Sequence, residues 1–98
     1  MARVEIAPEV ADDFDRILDY LIQHETSDAA ARVMEIVHAI DVLAYNPLIG
    51  RSVSSGKREL VIGRKRNGYV ALYRYLEEID TVFVLAVRSQ REAGYPRV

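Results

Sequence analysis

The chain has 98 residues, half of them apolar, and a formal net charge of −2 at pH 7. That size predicts one domain over residues 1–98, and the apolar content argues against disorder away from the ends. The lack of cysteine excludes disulfides, thiolate metal sites and cysteine nucleophiles, and no apolar run approaches the roughly 18 residues that span a bilayer, so a cytoplasmic protein without membrane contact is expected.

Arg3–Ile6 alternates and predicts a short edge strand. Pro8 suits the first turn of a helix, with Glu9, Asp12 and Asp13 favourably placed for its dipole. Val10, Phe14, Ile17, Leu18, Leu21 and Ile22 form one amphipathic stripe that fades at His24. Thr26, Ser27 and Asp28 are candidate caps for a second helix, which carries Val33, Ile36, Val37, Ile40 and Leu43 at helical spacing. Asn46-Pro47 ends it, because the residue before proline is pushed out of the helical region. Residues 47–57 read as a polar loop, Arg58–Ile62 as a strand and Asn67-Gly68 as a turn. Tyr69–Leu76 alternates, Thr81–Val87 is almost continuously apolar and β-branched, and the polar residues 77–80 between them predict an antiparallel hairpin. The tail from Ser89 has no periodicity. The order β-α-α-β-β-β predicts an α+β fold: a two-helix hairpin on one face of a small, mainly antiparallel sheet.

Charge is divided unevenly. Residues 1–45 hold three Lys or Arg against ten Asp or Glu, and residues 46–98 hold ten against five. The basic half suits an acidic protein or a nucleic acid. Alternation puts Tyr73 and Tyr75 toward the helices and leaves Val70, Leu72 and Arg74 on the open face. The same parity, carried along the next strand, aligns Arg88 with Ala86, Val84 and Val82. With Arg58 and Arg91, these residues make a sheet surface fit for an RNA backbone or an extended peptide. Arg64-Lys65-Arg66 reads as a solvated basic turn. His24 and His38 lack a metal-ligand frame, so no metal is expected. No phosphate loop and no strained nucleophile elbow are present, and no cofactor is implied.

Several segments resemble the RelE/ParE toxin superfamily of type II toxin–antitoxin modules: Asn46-Pro47-Leu48-Ile49-Gly50-Arg51, Arg58-Glu59-Leu60-Val61, Gly68 to Arg74 and Val82 to Arg88, in that order. The resemblance covers nearly the whole chain. It implies a toxin neutralised by a small antitoxin, itself a DNA-binding dimer with a C-terminal segment that wraps the toxin. It implies one of two targets. ParE-like members inhibit DNA gyrase, and RelE-like members are metal-independent ribonucleases that cleave mRNA on the ribosome. The latter need basic side chains around the scissile phosphate and often have a C-terminal tyrosine; here Arg58, Arg88, Arg91 and Tyr95 are the matching candidates. Where that branch has an arginine after Gly-Tyr, this chain has Val70, and its strand lysines have no counterpart near Leu60 to Gly63. The resemblance therefore favours the ParE-like branch, with a RelE-like mRNA interferase as the alternative.

Overall fold

In chain order the elements are β1 (Arg3–Ile6), α1 (Val10–Gln23), α2 (Ala29–Asp41), β2 (Arg51–Ser52), β3 (Arg58–Ile62), β4 (Tyr69–Leu76) and β5 (Thr81–Ser89). These come from a computed structural model that describes residues 1–24, 27–64 and 67–97. Lys65 and Arg66 of the basic run, and the candidate cap Thr26, lie outside the described residues. The five strands form one sheet in the order β1-β5-β4-β3-β2. All pairings are antiparallel except β1 with β5, which are parallel and far apart in the chain, with both helices and the other three strands between them. The expected fold is present. One strand was absent from the sequence reading: Arg51–Ser52, inside the polar loop, adds a fifth strand against Glu59 and Arg58.

Both helices lie on one face. The α1 stripe buries Val10, Ile17 and Leu21, and α2 buries Ile36 and Ile40, against Tyr69, Ala71, Tyr73, Val82, Val84 and Val87 of the sheet. The β4 parity is as the alternation predicts. The β5 parity is not. The register slips between Leu72, which faces Ala86, and Tyr73, which faces Val84. This bulge inserts Leu85 and reverses the faces beyond it. Arg88 and Ala86 point away from the helices, whereas Val84 and Val82 point into the core with Val87. The sequence expectation that put Arg88, Ala86, Val84 and Val82 on one face is corrected accordingly. No helix among the described residues is long and apolar enough to cross a membrane.

A buried tyrosine fixes the loop that leads from α2 to the sheet. Tyr73 is fully buried, accepts the Gly50 N–H at 2.9 Å and donates to the Pro47 carbonyl at 2.8 Å. Gly50 is needed for that approach: a Cβ there would sit 2.7 Å from the Tyr73 ring and hydroxyl and 2.8 Å from the Glu59 carbonyl. Tyr73→Phe leaves both loop groups without their partner and is expected to cost about 1–3 kcal/mol. The check is a urea titration, in which the midpoint should fall with no change in slope. An unmoved midpoint would mean that the loop is held by something else.

Candidate functional site

Alternation sends Val70, Leu72 and Arg74 of β4 away from the helices. On the same face lie Val61 and Glu59 from β3, and Arg88, Ala86 and Phe83 from β5. This second face is not bare. Val70 and Ala86 are fully buried and Leu72 is 4% exposed, although no helix lies over them. The chain after β5 returns across the sheet and covers them. The Tyr95 hydroxyl donates to Glu59 Oε2 at 2.7 Å, opposite Leu72. The same ring lies 5.0 Å from the Arg88 guanidinium, opposite Val70. Tyr95 therefore crosses β4 over Val70 and Leu72.

Arg88 holds this return in place. Its Nη1 donates to the carbonyls of Ser89 and Glu92, both at 3.1 Å, closing the turn that starts the tail. Its Nε is buried and has no acceptor among the described residues. Burial, reinforced by the bond to the Glu59 carboxylate, holds the Tyr95 phenol well above its usual pKa. Burial pushes Glu59 up, but the hydrogen bonds from Tyr95 and Arg51 outweigh it and keep this carboxyl below the usual range. The group is thus a neutral phenol between a carboxylate and a guanidinium. A phenol held in this way donates a hydrogen bond and is a poor base.

A second polar cluster closes the outer edge of β5. β1 ends at Ile6, opposite Val84, so the edge from Leu85 onward has no strand beside it. Side chains take over its backbone groups. Asp13 Oδ2 accepts the Val87 N–H at 2.9 Å, Arg16 donates to the Val87 carbonyl at 3.1 Å, and Arg97 donates to the Leu85 carbonyl at 3.0 Å. Glu92 accepts the Ser89 N–H at 2.7 Å and pairs with Arg16. Asp13 is wholly buried and joins the set, bonded to Arg16 through one oxygen and to Arg97 through both. Burial pushes the Asp13 carboxyl up, yet the bonds from Arg97, Arg16 and the Val87 N–H prevail and hold its pKa below the usual carboxylate value. The cluster pins the tail at Arg97, two residues beyond Tyr95.

The family model for the ParE toxin of type II toxin–antitoxin systems, parDE, matches residues 4–94. This chain belongs to the ParE toxin family. Solved chains of similar fold include three from toxin–antitoxin systems. A chain of the chromosomal ParDE toxin–antitoxin system from P. aeruginosa is 25% identical, with a TM-score of 0.72 over 91% of this chain and 96% of that one. A chain of the RelBE2 toxin–antitoxin complex from Mycobacterium tuberculosis is 21% identical, with a TM-score of 0.60 over 91% of this chain and 98% of that one. A chain of the intact E. coli RelBE toxin–antitoxin complex is 10% identical, with a TM-score of 0.64 over 94% and 100%. At their identities the two RelBE structures bear on the fold alone. No curated protein sequence matches.

Within this ParE-family fold the residues singled out from sequence are dispersed. Arg88 and Tyr95 stack on the second face. Arg58 faces Tyr73 on the helix side and donates to the carbonyls of Gly50 at 2.8 Å and Leu48 at 3.3 Å. Arg91 is exposed beside α1, donating to the Tyr20 hydroxyl and to Asn67 Oδ1. Arg74 reaches the Ser55 carbonyl at 2.9 Å. Val70 and Leu72 lie beneath Tyr95. Among the described residues no three His, Asp or Glu side chains converge as metal ligands would. Sequence reasoning missed Glu59, Asp13, Arg16, Glu92 and Arg97. Only Asp13 carried a usable signal: it falls three residues after Val10 and four before Ile17, on the apolar stripe of α1. A carboxylate at such a position needs buried partners.

Proposed function

We propose that this ParE-family toxin acts in the cytoplasm as an inhibitor of DNA gyrase, through protein–protein contact and without catalysis, and that a cognate antitoxin holds it inactive. The observation that carries this reading is the dispersal of the basic residues. An RNA-cleaving centre must surround one scissile phosphate with groups that position the 2′-hydroxyl and stabilise the charge that develops. Arg58 turns its Nη1 to loop carbonyls on the helix side, Arg91 lies beside Tyr20, and only Arg88 and Tyr95 adjoin. The centre of the second face is Val70, which binds no phosphate and moves no proton. The P. aeruginosa ParDE structure, at 25% identity, adds support.

The target surface in this reading is the tail-covered face with its rim. Arg74 and Arg88 supply charge there, Arg91 adds charge from the α1 side of the sheet's end, and Val70 and Leu72 back the tail from beneath. Arg58 contributes by holding the loop at Leu48 and Gly50. The antitoxin is a DNA-binding dimer whose acidic, amphipathic C-terminal segment matches the basic half of the chain by charge. A RelE-like interferase is the second reading, favoured by one arrangement: the Arg88 guanidinium, Tyr95 phenol and Glu59 carboxylate in contact. The two readings separate in one pair of assays. The purified toxin should arrest gyrase supercoiling and leave ribosome-bound mRNA intact. Cleavage of that mRNA with gyrase unaffected would reverse the assignment.

A further inference from the structure

Beside the sheet, α1 and the start of α2 enclose a pocket of about 400 Å³ against the point where β4 begins and β5 ends. Its floor is apolar, made by Ile17, Leu21 and Tyr69. One wall is a ring stack, Tyr20 on His24, with centroids 4.0 Å apart and planes at 24°. The rim is cationic. Arg32 comes from the first turn of α2, and Arg91 comes from the tail, its guanidinium 5.4 Å from the Tyr20 ring. Arg16 also borders the pocket, but its charge is matched by Asp13 and Glu92. Glu92 is the lining's one carboxylate among the described residues, so Arg32 and Arg91 leave the pocket net positive. That sign runs against its surroundings, since Arg32 is one of only three bases among the ten acids of residues 1–45. A concave cationic site where the acidic helix hairpin meets the basic half concentrates anions that the hairpin alone would repel.

We propose that this pocket binds a nucleoside monophosphate, with the phosphate between Arg32 and Arg91 and the base against the Tyr20–His24 wall and the apolar floor. Guanidinium forks match phosphate oxygens, and the His24 face that Tyr20 leaves uncovered can stack on any base. The Asn67 side chain at the rim offers a polar edge for the ring. The volume lies near the low end of the roughly 300–1,000 Å³ typical of ligand clefts, which suits one nucleotide. An anion without a ring would leave the floor and the ring wall uncovered. The same chemistry is presented by a free nucleotide and by the phosphorylated end of a single strand. The site shares only Arg91 with the proposed target surface, and it does not depend on the gyrase reading.

Calorimetry and amide NMR with AMP test it. A single saturable site is expected, with shifts centred on Leu21, Asn67 and Ser89, and with adenosine and inorganic phosphate each binding at least about tenfold more weakly. Arg32→Ala should weaken AMP binding by about tenfold or more. Arg91→Ala should do the same, but Arg91 also braces Tyr20 and Asn67, so Arg32 is the cleaner variant. Arg3→Ala removes the same charge from an exposed pair with Glu5 on β1 and should leave binding within about twofold. A short 5′-phosphorylated strand that outcompetes AMP, while its unphosphorylated counterpart does not, assigns the site to strand ends. AMP binding without strand binding assigns it to the free nucleotide. Either result upholds the site. Absence of saturable AMP binding, adenosine binding as tightly as AMP, or an equal loss in Arg3→Ala overturns it.

Discussion

Asp13→Ala should destabilise the protein by about 3 kcal/mol, the largest loss expected from any single side chain outside the apolar core. Breaking a buried ion pair by removing one partner costs about 3–5 kcal/mol, because the other charge is left uncompensated. The lower end applies here. Asp13 is fully buried, but Arg16 and Arg97 keep 34% and 29% of their side chains exposed and so retain contact with water. The buried Val87 N–H would lose its acceptor outright. Asp13→Asn keeps the volume but leaves one good acceptor for three donor groups, so most of the loss should persist. The tail should loosen as well, since Arg97 is fastened to Asp13 through both oxygens.

The same carboxylate sets an acid limit. Its folded pKa is depressed below 3.8, so its stabilisation is complete above that value and is lost as pH falls through the lower folded pKa. Glu59 is depressed too, and contributes a second loss from its own ordinary value of 4.5 downward. Urea titrations from neutral pH into this acid range should therefore show the gap between wild type and Asp13→Asn shrinking below about pH 3.8. A gap that stays constant into acid would mean that Asp13 acts by shape and not by charge.

The limits of sequence reading here have physical causes. Tyr69, Ala71, Tyr73 and Tyr75 could be assigned to the core because a strand alternates with period two and the even positions include Arg74. The helices were legible for the same kind of reason, as was the hairpin. The bulge was not. Leu85 sits inside an unbroken apolar run, so inserting it leaves no mark in the residue pattern, yet it reverses the faces of Val84 and Val82. The strand at Arg51–Ser52 is two residues long and polar, and only its partner β3 makes it a strand. The tail was least legible. Tyr95 is fastened to Glu59 and Arg97 to Asp13, across 36 and 84 residues, and no local periodicity encodes contacts of that range. Asp13 was legible and overlooked: counted as a favourable charge for the helix dipole, it is instead the buried anchor of a strand edge.

Arg88→Ala is expected to weaken growth arrest while leaving the helix–sheet core folded. The core contacts of Tyr73, Val84 and Val87 lie on the opposite face and do not involve Arg88. What the guanidinium holds is the tail, through the Ser89 and Glu92 carbonyls and the Tyr95 ring. Its loss should cost about 1–2 kcal/mol in global stability, leave the far-ultraviolet circular dichroism unchanged, and raise amide exchange over residues 89–97. On the proposed reading, in which gyrase is the target and meets the tail-covered face, inhibition should fall by about tenfold or more. Arg88→Lys keeps the charge but loses the fork and should fall between the two. Tyr95→Ala divides the remaining explanations, because it frees the same tail and uncovers Val70 and Leu72 without removing the guanidinium. If both variants lose inhibition equally, Arg88 works through the tail that it positions. If Tyr95→Ala still inhibits and Arg88→Ala does not, the guanidinium itself meets the target. Full growth arrest by Arg88→Ala would remove the second face from the mechanism.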